Sequence, residues 1–117
     1  MKNNDLRNRT KTFALDVIRF CEKLPNDETC RVLRRQLLRS GTSVGANYRA
    51  ACRGRSKLGF IAKLGIVSEE ADESAFWIEL LEEAGKIGPG QSRALLAEAN
   101  ELVAIAVSSI NTARKNR

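Results

Sequence analysis

Residues 36–51 read QLLRSGTSVGANYRAA. Within this stretch Leu37, Ser40, Val44, Asn47 and Ala51 recur at steps of three and four, and Leu33 extends the series upstream. That period marks one face of a helix and excludes strand alternation. Gly41 and Gly45 each cost about 1 kcal/mol relative to alanine inside a helix. Close backbone approach would offset the cost, so the spacing predicts a tight helix crossing here; a kink, or backbone approach to a ligand, are the alternatives. Downstream, Gly54-Arg55-Ser56 reads as a turn, with Ser56 capping a third helix along Phe60, Leu64, Val67, Ala71, Ser74, Ile78 and Leu81. Upstream, Phe13, Val17, Phe20 and Leu24 form a first helix that Pro25 ends, because the residue before proline avoids the helical region. Asn26 or Asp27 then caps the second helix. Gly88-Pro89-Gly90 is a turn before a fourth helix along Leu95, Ala99, Leu102, Ala106, Ile110 and Ala113. No strand pattern, repeat or low-complexity segment interrupts this plan. The expected fold is all-α, an up-down-up-down antiparallel four-helix bundle, with residues 1–117 as one domain.

At 117 residues the chain supports a single core. A polar N-terminus, MKNNDLRNRTK, carries no signal-peptide pattern, and the 29% charged content argues against a membrane span. A cytoplasmic location is expected. Cys21, Cys30 and Cys52 form no C-x-x-C pair and read as reduced thiols, Cys52 included despite its arginine neighbours. Histidine is absent, which removes the commonest general base and the ligands of a di-iron bundle. Glu69, Glu70, Asp72 and Glu73 lack calcium-loop spacing, and no phosphate-binding glycine loop is present. No catalytic residue, cofactor or metal is expected.

Charge is segregated along the chain. Arg31 to Ser68 contains no acidic residue, and Glu69 to Glu83 contains no basic one. Sign segregation on this scale selects a partner of opposite charge, consistent with the net charge of +6. Antiparallel pairing of helices two and three would bring Arg39 near Glu69, Asp72 and Glu73. The bundle topology would gather Lys2, Arg7, Arg9, Lys11, Arg49, Arg53, Arg55, Lys57, Arg114, Lys115 and Arg117 at one end, eleven of the chain's 20 basic residues, with only Asp5 opposing them. Asp27, Glu28, Glu79, Glu82 and Glu83 would gather at the other. Arg7, Arg9, Arg49, Arg53, Arg55, Lys57, Arg114 and Lys115 are therefore the candidate phosphate-binding residues. Aromatic platforms near that end are limited to Tyr48 and Phe60, so little base-specific readout is expected. Phe76, Trp77, Ile78, Leu80 and Leu81 wrap more than one face of helix three. Helix four has no charge between Glu101 and Arg114. The surplus apolar surface points to a homo-oligomer; a small single bundle with a weakly polar face of Ala, Ser and Thr is the alternative.

The run from Gln36 to Ala51, followed by Ser56, Phe60, Lys63-Leu64 and Glu69-Glu70-Ala71-Asp72-Glu73-Ser74-Ala75-Phe76-Trp77, resembles the bacterial four-helix-bundle family encoded in intervening sequences of large-subunit ribosomal RNA genes. The resemblance implies a small, basic, helical, non-enzymatic protein that assembles as a homopentamer. One branch of that family comprises the nucleic-acid-binding accessory proteins of reverse transcriptases in diversity-generating retroelements. A reverse transcriptase or rRNA is thus the implied associate. Gln36, Arg39, Ser43, Asn47, Ser56, Phe60, Lys63, Glu73 and Trp77 match the family's recurrent positions and are implied to be fold and assembly determinants. Two functions follow as expectations: a nucleic-acid-binding accessory protein with little sequence preference and no membrane association, or a protein-interaction scaffold whose charges meet neighbouring subunits or an acidic partner.

Overall fold

The computed structural model describes residues 2–116, with side chains from Asp5 onward. Four helices account for nearly all of them: α1 (Lys2–Glu22), α2 (Glu28–Arg53), α3 (Lys57–Glu83) and α4 (Arg93–Lys115). They form an antiparallel bundle about 50 Å long and 20 Å across. The caps fall where the residue chemistry places them. Asp27 accepts from the Cys30 amide at 2.8 Å and Ser56 from the Gly59 amide at 3.0 Å. The same amide bond, chief among several contacts, holds the Asp27 carboxyl below its ordinary pKa. Gly85 and Gly90 take positive φ of 72° and 80° in the α3–α4 connection, a conformation that glycine adopts without strain. Ser92 precedes α4, and its hydroxyl donates to Glu82 at 2.6 Å rather than capping the helix.

The expected stripes form the core. Phe13, Val17 and Phe20 of α1, with Leu24 just past its end at Glu22, meet Leu37, Val44 and Ala51 of α2, Leu64, Val67, Ile78 and Leu81 of α3, and Leu95, Ala99 and Leu102 of α4, all buried. Leu33, Phe60 and Ile110 pack at its edge. Asn47 is only half-buried, its amide nitrogen donating to the Ser43 carbonyl at 2.9 Å and to the Ser43 hydroxyl oxygen at 2.8 Å. Tyr48 and Cys30 are buried instead, because α2 faces α1 as well as α3 and so buries a second edge of its surface. Burial pushes the Cys21 thiol to about 11 and raises Cys30, so both behave as small apolar groups. Cys21, Cys30 and Cys52 are all free; Cys52, expected as a buried inert thiol, is only half-buried, at the edge of the core.

Helix α2 runs unbroken through Gly41 and Gly45. The glycines serve a tight crossing. A Cβ at Gly41 would lie 2.8 Å from Val17 Cγ2, and one at Gly45 would lie 3.3 Å from the Thr10 carbonyl oxygen. On the face of α2 toward α3, the Ser40 and Ser74 hydroxyls share a buried 2.8 Å hydrogen bond, and Ser74 also donates to the Glu70 carbonyl at 2.9 Å. Arg39 bonds Glu70 at 3.2 Å, and also Glu73. Glu73 was expected; Glu69 and Asp72 were not the other partners, because positions 70 and 73 lie one turn apart on the face of α3 that carries Ser74. At the far end Lys86 reaches Asp27 at 3.2 Å, tying the two end connections together.

Replacing Gly41 with alanine gains helix propensity but forces Cβ into Val17, which is held in the core. The expected outcome is a loss of about 1–3 kcal/mol in urea unfolding. Gly65→Ala, where nothing lies within 4 Å of the added Cβ, should instead gain up to about 1 kcal/mol. Equal responses at the two positions would refute the crossing argument.

Candidate nucleic-acid interface

Alternating helix directions put the start of α1, the α2–α3 turn and the end of α4 at one end of the bundle. Arg7, Arg49, Arg53, Arg55, Lys57, Arg114 and Lys115 all lie there, and all are exposed. Among the described residues none of the seven is within ion-pairing distance of a carboxylate. Lys11 is also exposed on α1. Arg117 and the Lys2 side chain, expected at the same end, lie outside the described residues.

Arg9 differs from the other candidates. Its guanidinium grips Glu98 through two bonds of 2.6 and 2.9 Å and reaches Glu101 at 3.4 Å. These contacts, led by the hydrogen bond to Glu98, raise an already high pKa further. The expectation that only Asp5 would oppose the basic end therefore needs amending. Arg9 lies two turns inside α1, deep enough to meet the first half of α4, where Glu98 and Glu101 lie. The opposite end is also less acidic than expected. Asp27 pairs with Lys86 and Glu28 with Arg31, which offsets two of the five carboxylates expected there; Glu82 accepts from the Ser92 hydroxyl, and Glu79 and Glu83 meet no cation among the described residues. The molecule has one unbalanced basic end and one mixed end.

The basic end contains an opening. The three sequential helix pairs pack along their lengths, whereas α1 and α4 barely touch. Between them lies an open groove of about 660 Å³. Tyr48 from α2 and Phe60 from α3 contribute to it, so it reaches through to the far pair of helices. Leu6 and Ile105 line its apolar part; Ser108, Ser109, Thr112 and Asn116 place hydroxyls and an amide along α4. Burial, with the nearby Cys52, raises the Tyr48 pKa, so its phenol stays neutral at physiological pH. The charge-free run of α4 was legible in the sequence as apolar excess. The weakly polar Ser and Thr face was legible as well; that Ser108, Ser109 and Thr112 would line a groove was not.

The other sequence-marked positions lie along the α2–α3 seam and in α3. Gln36, Ser43, Asn47, Phe60, Lys63, Glu73 and Trp77 are half-buried, and Arg39 bridges the two helices from the surface. Trp77 meets Phe76 edge-on, with ring centroids 5.1 Å apart. Its indole Nε1 is buried without a hydrogen-bond partner among the described residues. Phe76 is 50% exposed and Val107 44%. By length and composition α4 is apolar enough to cross a membrane, but its Leu95, Ala99, Leu102 and Ala106 stripe is spent on the core.

The model of the 23S rRNA-intervening sequence protein family matches residues 2–108. The chain belongs to this family. Among solved structures, the intervening-sequence protein described here is similar to a protein of unknown function from the S23 ribosomal protein family of Bacteroides thetaiotaomicron. The two are 34% identical with a TM-score of 0.87, over 95% of this chain and 99% of that one. No curated protein shows significant similarity. The architecture is thus shared with the Bacteroides thetaiotaomicron protein, and neither comparison attaches a catalytic activity to it.

The geometry of Arg9 separates it from its exposed neighbours. In this family member, Arg9→Gln should lower stability modestly, by up to about 1 kcal/mol for a partly exposed pair. The loss should shrink at high salt. A Glu98→Gln partner closing a double-mutant cycle should account for most of the effect. A full-sized loss for each single change, with no coupling between them, would refute the clamp.

Proposed function

We propose that this intervening-sequence protein is a non-enzymatic, cytoplasmic, oligomeric accessory protein that binds nucleic acid through its phosphates. The observation that carries the reading is the group of seven exposed cations, Arg7, Arg49, Arg53, Arg55, Lys57, Arg114 and Lys115, at one end of a 50 Å bundle. Cations without carboxylate partners are free to exchange counterions for phosphates. Arg9 is left out because Glu98 already holds it. The absence of histidine and the apolar setting of the Cys21 and Cys30 thiols support a role without catalysis. The resemblance noted above favours a pentamer, associated with a reverse transcriptase or with rRNA. Half-exposed Phe76 and Val107 support assembly, since a single copy leaves them in water. A ring would repeat the basic end several times and bind one strand through several subunits.

Log affinity should fall linearly with log salt, by about 0.7–0.9 per phosphate contact. Changing Arg49, Arg53 and Arg55 together to glutamine should weaken binding to RNA and DNA alike and flatten that slope, with helix content unchanged. No binding at low salt would reject the nucleic-acid reading and leave the scaffold. Light scattering should give a mass several times 13.0 kDa; a 13.0 kDa species at micromolar concentration would reject the oligomer.

A further inference from the structure

We infer that the groove between α1 and α4 receives an unstacked base, so that the preferred ligand is a single strand rather than a duplex. The inference rests on the phosphate-binding reading above and gives it a substrate class. Three observations converge on it. The groove opens within the basic end, lined by residues of all four helices there. Its volume of about 660 Å³ falls in the usual range of small-molecule sites, about 300–1,000 Å³. Its lining is chemically mixed: the half-buried ring of Phe60 with Leu6 and Ile105 is apolar, Ser109, Thr112 and Asn116 are polar, and Tyr48, 2% exposed, belongs to the core behind them.

That combination suits a flat group with an apolar face and a hydrogen-bonding edge. A base laid toward Phe60 presents its face to carbon and its edge to the hydroxyl and amide groups of α4. Single strands are bound in this manner elsewhere, because their bases are free to leave the stack. An apolar helix of a second copy fits less well: it would cover those polar groups without offering them partners. A duplex keeps its bases paired and cannot fill the groove at all. Asp5 also lines the opening. Its carboxylate disfavours phosphate there but accepts from an exocyclic amino group. This orients the strand with bases inward and phosphates outward, toward Arg7, Arg114 and Lys115. Adenine, which carries such an amino group, is the suitable probe.

The test compares oligo(dA) with an abasic strand of equal length, which keeps every phosphate and lacks the bases. Fluorescence anisotropy at low salt should show oligo(dA) binding at least about fivefold more tightly, the lower bound for one base–aromatic contact. Ala104→Trp and, separately, Thr112→Trp would fill the groove from exposed positions of α4 that leave the core intact. Each should erase the difference between the two strands, with circular dichroism and mass unchanged. Equal affinity of the wild-type protein for both strands would overturn the inference while the phosphate reading stands. Failure of both strands to bind would overturn the two together. A fall in oligomer mass in both groove-filling variants would assign the groove to a neighbouring subunit and overturn it as well.

Discussion

The hydrogen bond between Ser40 and Ser74 sets the register on which everything else rests. It joins α2 to α3 inside the core, between residues 34 apart in sequence, and Arg39 with Glu73 repeats the same separation at the surface. Both pairs are centred on Ser56 and Lys57, so the chain has to reverse there. A slip of one helical turn would lose the bond between the two hydroxyls, worth about 0.5–1.5 kcal/mol, although each keeps a carbonyl acceptor in its own helix. Leucine in both positions would stabilise burial but would tolerate sliding. A polar pair in an apolar seam penalises every register but one.

From this register the two ends acquire different characters. Reversal at Gly54-Arg55-Ser56 carries Arg49, Arg53, Arg55 and Lys57 to one tip, and the termini follow because α1 packs on α2 and α4 on α3. The glycines of α2 draw α1 close on one side. Nothing equivalent draws α4 to α1. Arg9 spans that gap with its long side chain to Glu98, which holds the two helices near each other while leaving them unpacked beyond it. The groove is the space left when three seams are tight and the fourth is bridged by an ion pair.

The elements were legible in the sequence because they depend on local chemistry. Asp27 and Ser56 announce helix starts, Pro25 an ending, and steps of three and four the buried faces. The Arg39–Glu73 pairing followed from topology alone. What escaped depends on rotation about a helix axis, which the period does not fix. Tyr48 lay one residue from the assigned stripe and turned out to be core, because α2 has two neighbours. Glu70 took the place expected for Glu69 and Asp72 because the rotation of α3 puts positions 70, 73 and 74 toward α2. Arg9 looked like its exposed neighbours until Glu98 and Glu101, 89 and 92 residues away, came alongside it. The groove was the least legible feature, since it is a weak seam, and a sequence records contacts better than gaps.

The alternating helix directions have an electrostatic corollary. Each α-helix carries a macrodipole, positive at its N-terminus and negative at its C-terminus. At the basic end two N-termini and two C-termini lie together, so the backbone contributions largely cancel. The field there comes from side chains alone, on long flexible stems that follow a ligand's charges. With the mixed end nearly neutral, the centre of positive charge is displaced along the 50 Å axis from the centre of mass. A polyanion would therefore exert a torque on the molecule before any contact formed, turning it tip-first during approach.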